Sequence, residues 1–237
     1  EEDLCANGRG ILPLSAFPKS RRYKSLDLPP ADELDGLLIF FNTRRDTIVP
    51  IIQELTPEQA AAAFMLGESI ETSSGDPAKA GQSLRIVGTN PFIVGDEGDE
   101  GNMFYEFVKK YQHKVRCFLM NTGGVGEIRN PKNPLKITKP PERPWKPGIG
   151  YITRAIFRGT AEWEDYPDFG TRVLTGGVTN EKGKVFDMDK FNPLKAYAPA
   201  VREEMVKKLN KERIEWLEKY PVFSPNILKM MKKTLKV

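Results

Sequence analysis

Two short apolar runs, Leu37-Leu38-Ile39-Phe40-Phe41 and Val115 to Met120, constrain the fold more than any other feature of this chain. A strand with one wet face alternates apolar and polar residues, whereas a strand covered on both faces has no need to. Both runs therefore predict strands buried on both faces. Between them Thr56-Pro57-Glu58-Gln59 is a helix start: Thr56 can cap, Pro57 suits the first turn, and Gln59 holds the capping-box position. The Ala-rich stretch to Leu66 extends that helix. A second helix is predicted from about Asn102 to Gln112, with Phe104, Phe107, Val108 and Tyr111 on one side. Strand, helix, strand, helix, with short apolar strands, give an α/β fold, a mixed sheet with flanking helices.

Other segments read as connections or as an added helical tail. Residues 1–35 are a Pro-rich approach with a short extended piece from Ile11 to Phe17, and Ser73 to Pro77 is a loop. From Arg129 to Gly150 prolines crowd with lysines and arginines, which predicts an ordered loop or a flap and excludes helix or central strand. Helix resumes at about Ile152 to Arg158. Asp165 to Pro193 predicts turns and a hairpin tipped by Asn180-Glu181-Lys182-Gly183. A long helix follows from about Pro199 to Tyr220, with Val201, Met205, Leu209 and Leu217 inward, and a last helix starts at Ser224-Pro225. Two regions result: an α/β domain over residues 1–197 with a Pro-rich insertion at 127–151, and a helical extension over 198–237.

Composition narrows the function classes. With 39% hydrophobic and 10% aromatic residues, 237 residues can build a real core. No window approaches the roughly 20 apolar residues that cross a bilayer, and Glu1-Glu2-Asp3-Leu4 is no signal peptide. That opening, without an initiator Met, suggests a chain cut from something longer. The formal charge of +4 gathers in the tail at Lys229, Lys232, Lys233 and Lys236. A solvated helix face is its plain reading, so neither membrane nor nucleic acid is an expected partner. Cys5 and Cys117 lie far apart in unlike contexts, as in a protein of the reducing cytoplasm. His113 is the only histidine, and no acidic or cysteine spacing accompanies it, so the chain carries no self-contained metal site.

The most suggestive local chemistry is Asn121-Thr122-Gly123-Gly124-Val125-Gly126, directly after a predicted strand. Glycines let backbone approach a ligand, and exposed N–H groups can cradle anionic oxygens; the plain alternative is turn punctuation. It is neither a Walker A loop, since no Gly-Lys-Ser/Thr follows, nor a dinucleotide fingerprint. Thr153 and Arg154 open a predicted helix, where Thr153 could bond a base or ribose and Arg154 a phosphate or carboxylate, or where they could serve as cap and surface residue. Asn7-Gly8-Arg9-Gly10 would let an arginine fork reach a phosphate.

Their order along the chain resembles ATP-type phosphoenolpyruvate carboxykinases. Asn7-Gly8-Arg9, Leu37 to Phe41, Leu55-Thr56-Pro57-Glu58-Gln59, Phe64-Met65-Leu66-Gly67, Thr72 to Asp76, Asn121-Thr122-Gly123, Thr153-Arg154-Ala155-Ile156 and Phe169 to Asn192 follow the family's segments collinearly over roughly residues 7 to 220. The departures are specific. Gly124 stands where an aromatic residue follows Asn-Thr-Gly, Pro147 where a nucleotide-contacting arginine stands, and the Pro-rich insertion replaces a short Gly-rich loop. Lys146 aligns with the family's lysine.

The resemblance implies the C-terminal, nucleotide-side lobe of such a protein. Arg9 is the implied catalytic residue, reaching the transferring phosphoryl group. Asn121, Thr122, Gly123, Gly124, Gly126, Lys146, Thr153 and Arg154 are the implied nucleotide-binding residues. ATP is the implied cofactor, while the P-loop, the Mg or Mn ligands and the oxaloacetate arginine belong to an N-terminal part that is the implied partner. The chain alone is then inactive. A non-catalytic nucleotide-binding or regulatory domain built on the same framework is the alternative.

Overall fold

The computed structural model describes residues 13–19, 29–44, 47–70, 82–90, 92–130, 132–144 and 146–236. Its centre is a five-stranded sheet built from β1 (Leu37–Thr43), β2 (Ile52–Leu55), β5 (Val115–Asn121), β8 (Glu162–Tyr166) and β9 (Thr171–Gly176), in the order β1-β5-β2-β9-β8. β1 runs parallel to β5, with Leu37 opposite Val115 and Thr43 opposite Asn121; the other three pairings are antiparallel. The sheet is mixed, as the sequence predicts. β5 is covered on both faces: Cys117 and Leu119 pack to one side, Phe118 and Met120 to the other. β1 departs from expectation. It lies at the sheet's edge among the described strands, and Leu37 to Phe41 are only half-buried.

Helices cover both faces. On one side lie α1 (Pro57–Leu66), α2 (Glu97–Lys110), α5 (Pro199–Leu217) and α6 (Pro225–Leu235); on the other lies α3 (Lys146–Phe157), with Val178, Phe186, Met188 and Phe191 of the following loop; the one-turn α4 (Pro193–Ala196) precedes α5. α1 begins as the sequence predicts: Gln59 N donates to Thr56 Oγ1 at 3.3 Å and Thr56 N to Gln59 Oε1 at 3.0 Å. It ends at Gly67, whose φ of +42° favours glycine and where a Cβ would lie 1.6 Å from the Ile86 carbonyl oxygen. α2 starts earlier than its apolar stripe suggests. Asp96 caps Gly98 N at 2.7 Å, acidic residues fill the first turn and Lys109 and Lys110 the last, so charges suited to the dipole supply a turn without apolar residues.

The Pro-rich segment is more regular than predicted. β6 (Ile128–Asn130) and β7 (Asn133–Lys139) form an antiparallel ribbon outside the main sheet, turned by Asn130 Oδ1, which accepts from Lys132 N at 2.8 Å. A two-stranded ribbon has open edges, and there a proline forfeits no ladder bond. α3 likewise begins at Lys146 rather than near Ile152, with Pro147 in its first turn. The Asn180 tip forms as expected, with Asn180 Oδ1 accepting from Lys182 N and Lys184 N below the Thr179–Val185 bridge.

The last two helices share the sheet's core. Leu209, Leu217, Ile227, Met231 and Leu235 pack in one cluster with Met65, Leu119 and Val173, while Val201, expected inward, is half exposed. β3 (Glu68–Ile70) pairs with β4 (Ser83–Arg85), and the buried Glu68 carboxylate joins Arg85 at 3.1 Å to Arg213 of α5. Arg213 also lies 4.8 Å from the centroid of the Phe169 ring.

Candidate functional site

β1 and β5, being parallel, end together, and their carboxyl ends open onto the Gly-rich turn. Open α/β sheets present ligand crevices at such ends. The turn is built from its own polar groups. Asn121 is fully buried; its Nδ2 donates to the carbonyls of Val49 at 2.8 Å and Gly124 at 3.3 Å, and its Oδ1 accepts from Gly123 N at 2.9 Å. Thr122 N and Oγ1 both donate to the Thr43 carbonyl, at 2.8 and 3.1 Å, tying the turn to the end of β1. Gly124 and Gly126 take positive φ, +93° and +84°. A Cβ at Gly124 would stand 2.6 Å from Arg143 Cγ and 2.7 Å from the Glu142 carbonyl oxygen. Close backbone approach here is thus to the Pro-rich segment, which bridges back between Val125 and Glu142.

Beside this turn lies a cleft of about 620 Å³, lined by Gly123, Arg44, Thr47, Glu127, Arg129, Arg143 and the start of the C-terminal helices. That volume falls within the roughly 300–1,000 Å³ of ligand pockets. Arg143 Nε donates to the Gly123 carbonyl at 2.8 Å, which fixes the guanidinium against the turn. Thr47 Oγ1 lies 2.6 Å from the Tyr197 hydroxyl and accepts from Glu127 N at 3.3 Å; Tyr197 donates onward to the Glu127 carbonyl at 3.2 Å. These bonds clamp the chain after the turn to the approach of α5. Three arginines against the one carboxylate of Glu127, itself 2.6 Å from Arg129 Nε, make the cleft cationic.

Of the sequence-predicted residues, Gly123 lines the cleft, while Asn121, Thr122, Gly124 and Gly126 shape the turn behind it. Thr153 and Arg154 are not brought to it. Because α3 starts early, Thr153 sits in the helix interior, where its hydroxyl donates to the Ile149 carbonyl at 2.9 Å. Arg154 donates to the Thr179 carbonyl at 3.0 Å and lies over Tyr151. Lys146 opens α3 with its side chain outside the described part, and Arg9 and Thr72 to Asp76 lie outside the described residues. Arg44, Thr47, Arg143 and Tyr197 were not singled out from sequence. Arg44 had a usable signal, a cation directly after a strand; Arg143, inside a proline-rich run, had none.

Among the described residues no three His, Cys, Asp or Glu side chains converge. No helix there is long and apolar enough to cross a membrane. Cys117 is buried beneath α2, which pushes its thiol up to about 12.

Comparison with known proteins agrees with the resemblance in the sequence. The chain is 26% identical over 191 residues to the ATP-type phosphoenolpyruvate carboxykinase of Aeropyrum pernix, covering 79% of this chain and 33% of that protein. The corresponding protein of Parvibaculum lavamentivorans is 28% identical over 141 residues, covering 57% of this chain and 25% of its own length. One from Rhodopseudomonas palustris is 33% identical over 97 residues, covering 39% and 18%. The chain thus spans at most about a third of the length of these relatives. With residues 1–144 matching the family's own profile, the chain belongs to the phosphoenolpyruvate carboxykinase family.

Proposed function

We propose that this chain is the nucleotide-side portion of a larger, ATP-dependent phosphoenolpyruvate-carboxykinase-like phosphoryl-transfer protein and carries out no phosphoryl transfer alone. The observation that supports this best is the cationic cleft at the joint carboxyl ends of β1 and β5, against the Gly123 turn. Phosphoryl transfer is mostly positioning and stabilisation of charged oxygens. Arg143, braced on the Gly123 carbonyl, is suited to hold an anionic oxygen without reorganising. Arg9 is the proposed phosphoryl-contacting residue. Asn121, Thr122, Gly124 and Gly126 serve by holding the turn, and Lys146 is a further proposed contact, whereas Thr153 and Arg154 are bonded to the Ile149 and Thr179 carbonyls away from the cleft.

The sequence carries no Gly-x-x-x-x-Gly-Lys-Ser/Thr loop, which is the reason for inactivity in isolation. Mg or Mn would come with the N-terminal part of the same protein, the proposed partner. The reading includes a cytoplasmic location, an α/β domain over residues 1–197 and a helical extension over 198–237. Pro147, in the place of the family's nucleotide-contacting arginine, favours a second reading, a non-catalytic nucleotide-binding or regulatory domain. Assay of the purified chain with MgATP and oxaloacetate, then of the whole protein, separates them. Turnover only in the whole protein, lost in Arg9→Ala, supports the first reading. MgATP binding without turnover in the whole protein supports the second. Turnover in the isolated chain that tracks Arg9 overturns inactivity.

A further inference from the structure

The cleft has a second character that phosphate recognition does not need. Its lining also includes Ile70, Ile128, Tyr197, Val201 and Met205. Ile128 and Val201 are 45% and 50% exposed, so aliphatic surface is left facing the same space as Arg44 and Arg143. A small hydrophilic anion would satisfy the guanidinium groups and leave this wall wet. A purely apolar molecule would cover the wall and desolvate the arginines without replacing their water. A ligand with both parts gains from both.

We propose that this cleft is a binding site for an organic anion with an apolar body and a single phosphate or carboxylate head. Arg44, directly after β1, and Arg143, fixed on the Gly123 carbonyl, take the head. Ile128 and Val201 cover the body. The Thr47–Tyr197–Glu127 bonds hold the two walls at fixed separation, so the site is formed before the ligand arrives. Arg129 is partly neutralised by Glu127 and sets the rim. The inference concerns these side chains alone and holds whether or not the parent protein transfers phosphate.

Isothermal titration of the 237-residue protein with phenyl phosphate tests it. Benzoate is the arm that changes the head, inorganic phosphate lacks the body, and benzyl alcohol lacks the charge. Phenyl phosphate or benzoate is expected to bind at least about tenfold more tightly than inorganic phosphate, the stronger of the two identifying the head, with no binding of benzyl alcohol. Arg44→Gln is expected to weaken that binding about tenfold with an unchanged melting temperature, since Arg44 is exposed. Val201→Asp is expected to weaken the aryl ligand and leave inorganic phosphate unaffected. Equal affinity for phenyl and inorganic phosphate, no binding of either aryl anion, or full affinity in Arg44→Gln would each overturn the proposal. ATP turnover plays no part in these readouts, so the phosphoryl-transfer reading and this one can fail separately.

Discussion

Arg213 donates to both carboxylate oxygens of Glu68, Nε at 3.1 Å, across 145 positions of the chain, and both side chains are almost wholly buried. The pair fastens α5 to the hairpin that follows α1. Removing one member leaves the other charged in a dry setting, whereas an intact buried pair is near neutral against apolar substitutes. Glu68→Gln, which leaves Arg213 and Arg85 facing a neutral amide, is expected to cost about 3–5 kcal/mol. Urea unfolding followed by tryptophan fluorescence measures it. A loss under about 1 kcal/mol would show that water reaches the pair.

The two kinds of positive-φ glycine separate cleanly. Gly124→Ala must place a Cβ against the Glu142 carbonyl, while Gly183→Ala meets nothing within 4 Å. The second is expected to cost about 1 kcal/mol from backbone conformation alone, and the first clearly more. Thermal melts of the two variants decide this, and equal shifts would mean that the Pro-rich segment moves aside.

Asn121→Ala removes two amide donations and one acceptance inside the turn. With the Val49 and Gly124 carbonyls and the Gly123 N–H left in a buried place, a loss of about 2–4 kcal/mol is expected. Thr153→Ala loses only a hydroxyl bonded within its own helix and should stay within about 0.5 kcal/mol. Ligand affinity in Asn121→Ala should fall together with stability. In Thr153→Ala any fall in MgATP affinity would be a contact in its own right, measured by titration of the whole protein.

Cys117 gives a pH-dependent readout. Its folded pKa of about 12 lies above the ordinary thiol value, so the unfolded chain releases this proton first as pH rises. The group's contribution is therefore unchanged below about pH 8 and is lost progressively between about pH 9 and 12. In a Cys5→Ser variant, disulfide-exchange labelling of Cys117 is expected to be slow at pH 8 and to rise sharply at the denaturation midpoint. Fast labelling of the native protein would contradict the burial.

Local chemistry was legible where a few adjacent residues decide it. The Thr56–Gln59 cap, the buried β5, the Asn180 tip and the mixed sheet follow from short-range patterns. Pairing partners do not. Leu37 to Phe41 looks like a central strand because apolar density reports burial, yet sheet order depends on which strands find which. The β6–β7 ribbon escaped because prolines argue against ladders in general and say nothing of a ribbon with open edges. The start of α3 is not legible because Thr153 resembles a cap, while Pro147 and Gly148 are residues typical of loops. At the site, glycines mark the turn, but Arg44, Arg143 and Tyr197 meet only through the fold, from positions a hundred and more residues apart in the extreme.

The pairing of β2 with β9 sets a schedule for synthesis. Gln53 and Glu54 are made well before their partners Val173 and Arg172, which follow more than a hundred residues later. At roughly 5–20 residues per second, β2 waits on the order of ten seconds with one edge bare. Residues 1–144, which carry the family's signature, end before β9, α5 and α6 have been made. The part that matches the family profile thus lacks strands of its own sheet, and the segments after it must arrive before the β2 edge is secure against wrong partners.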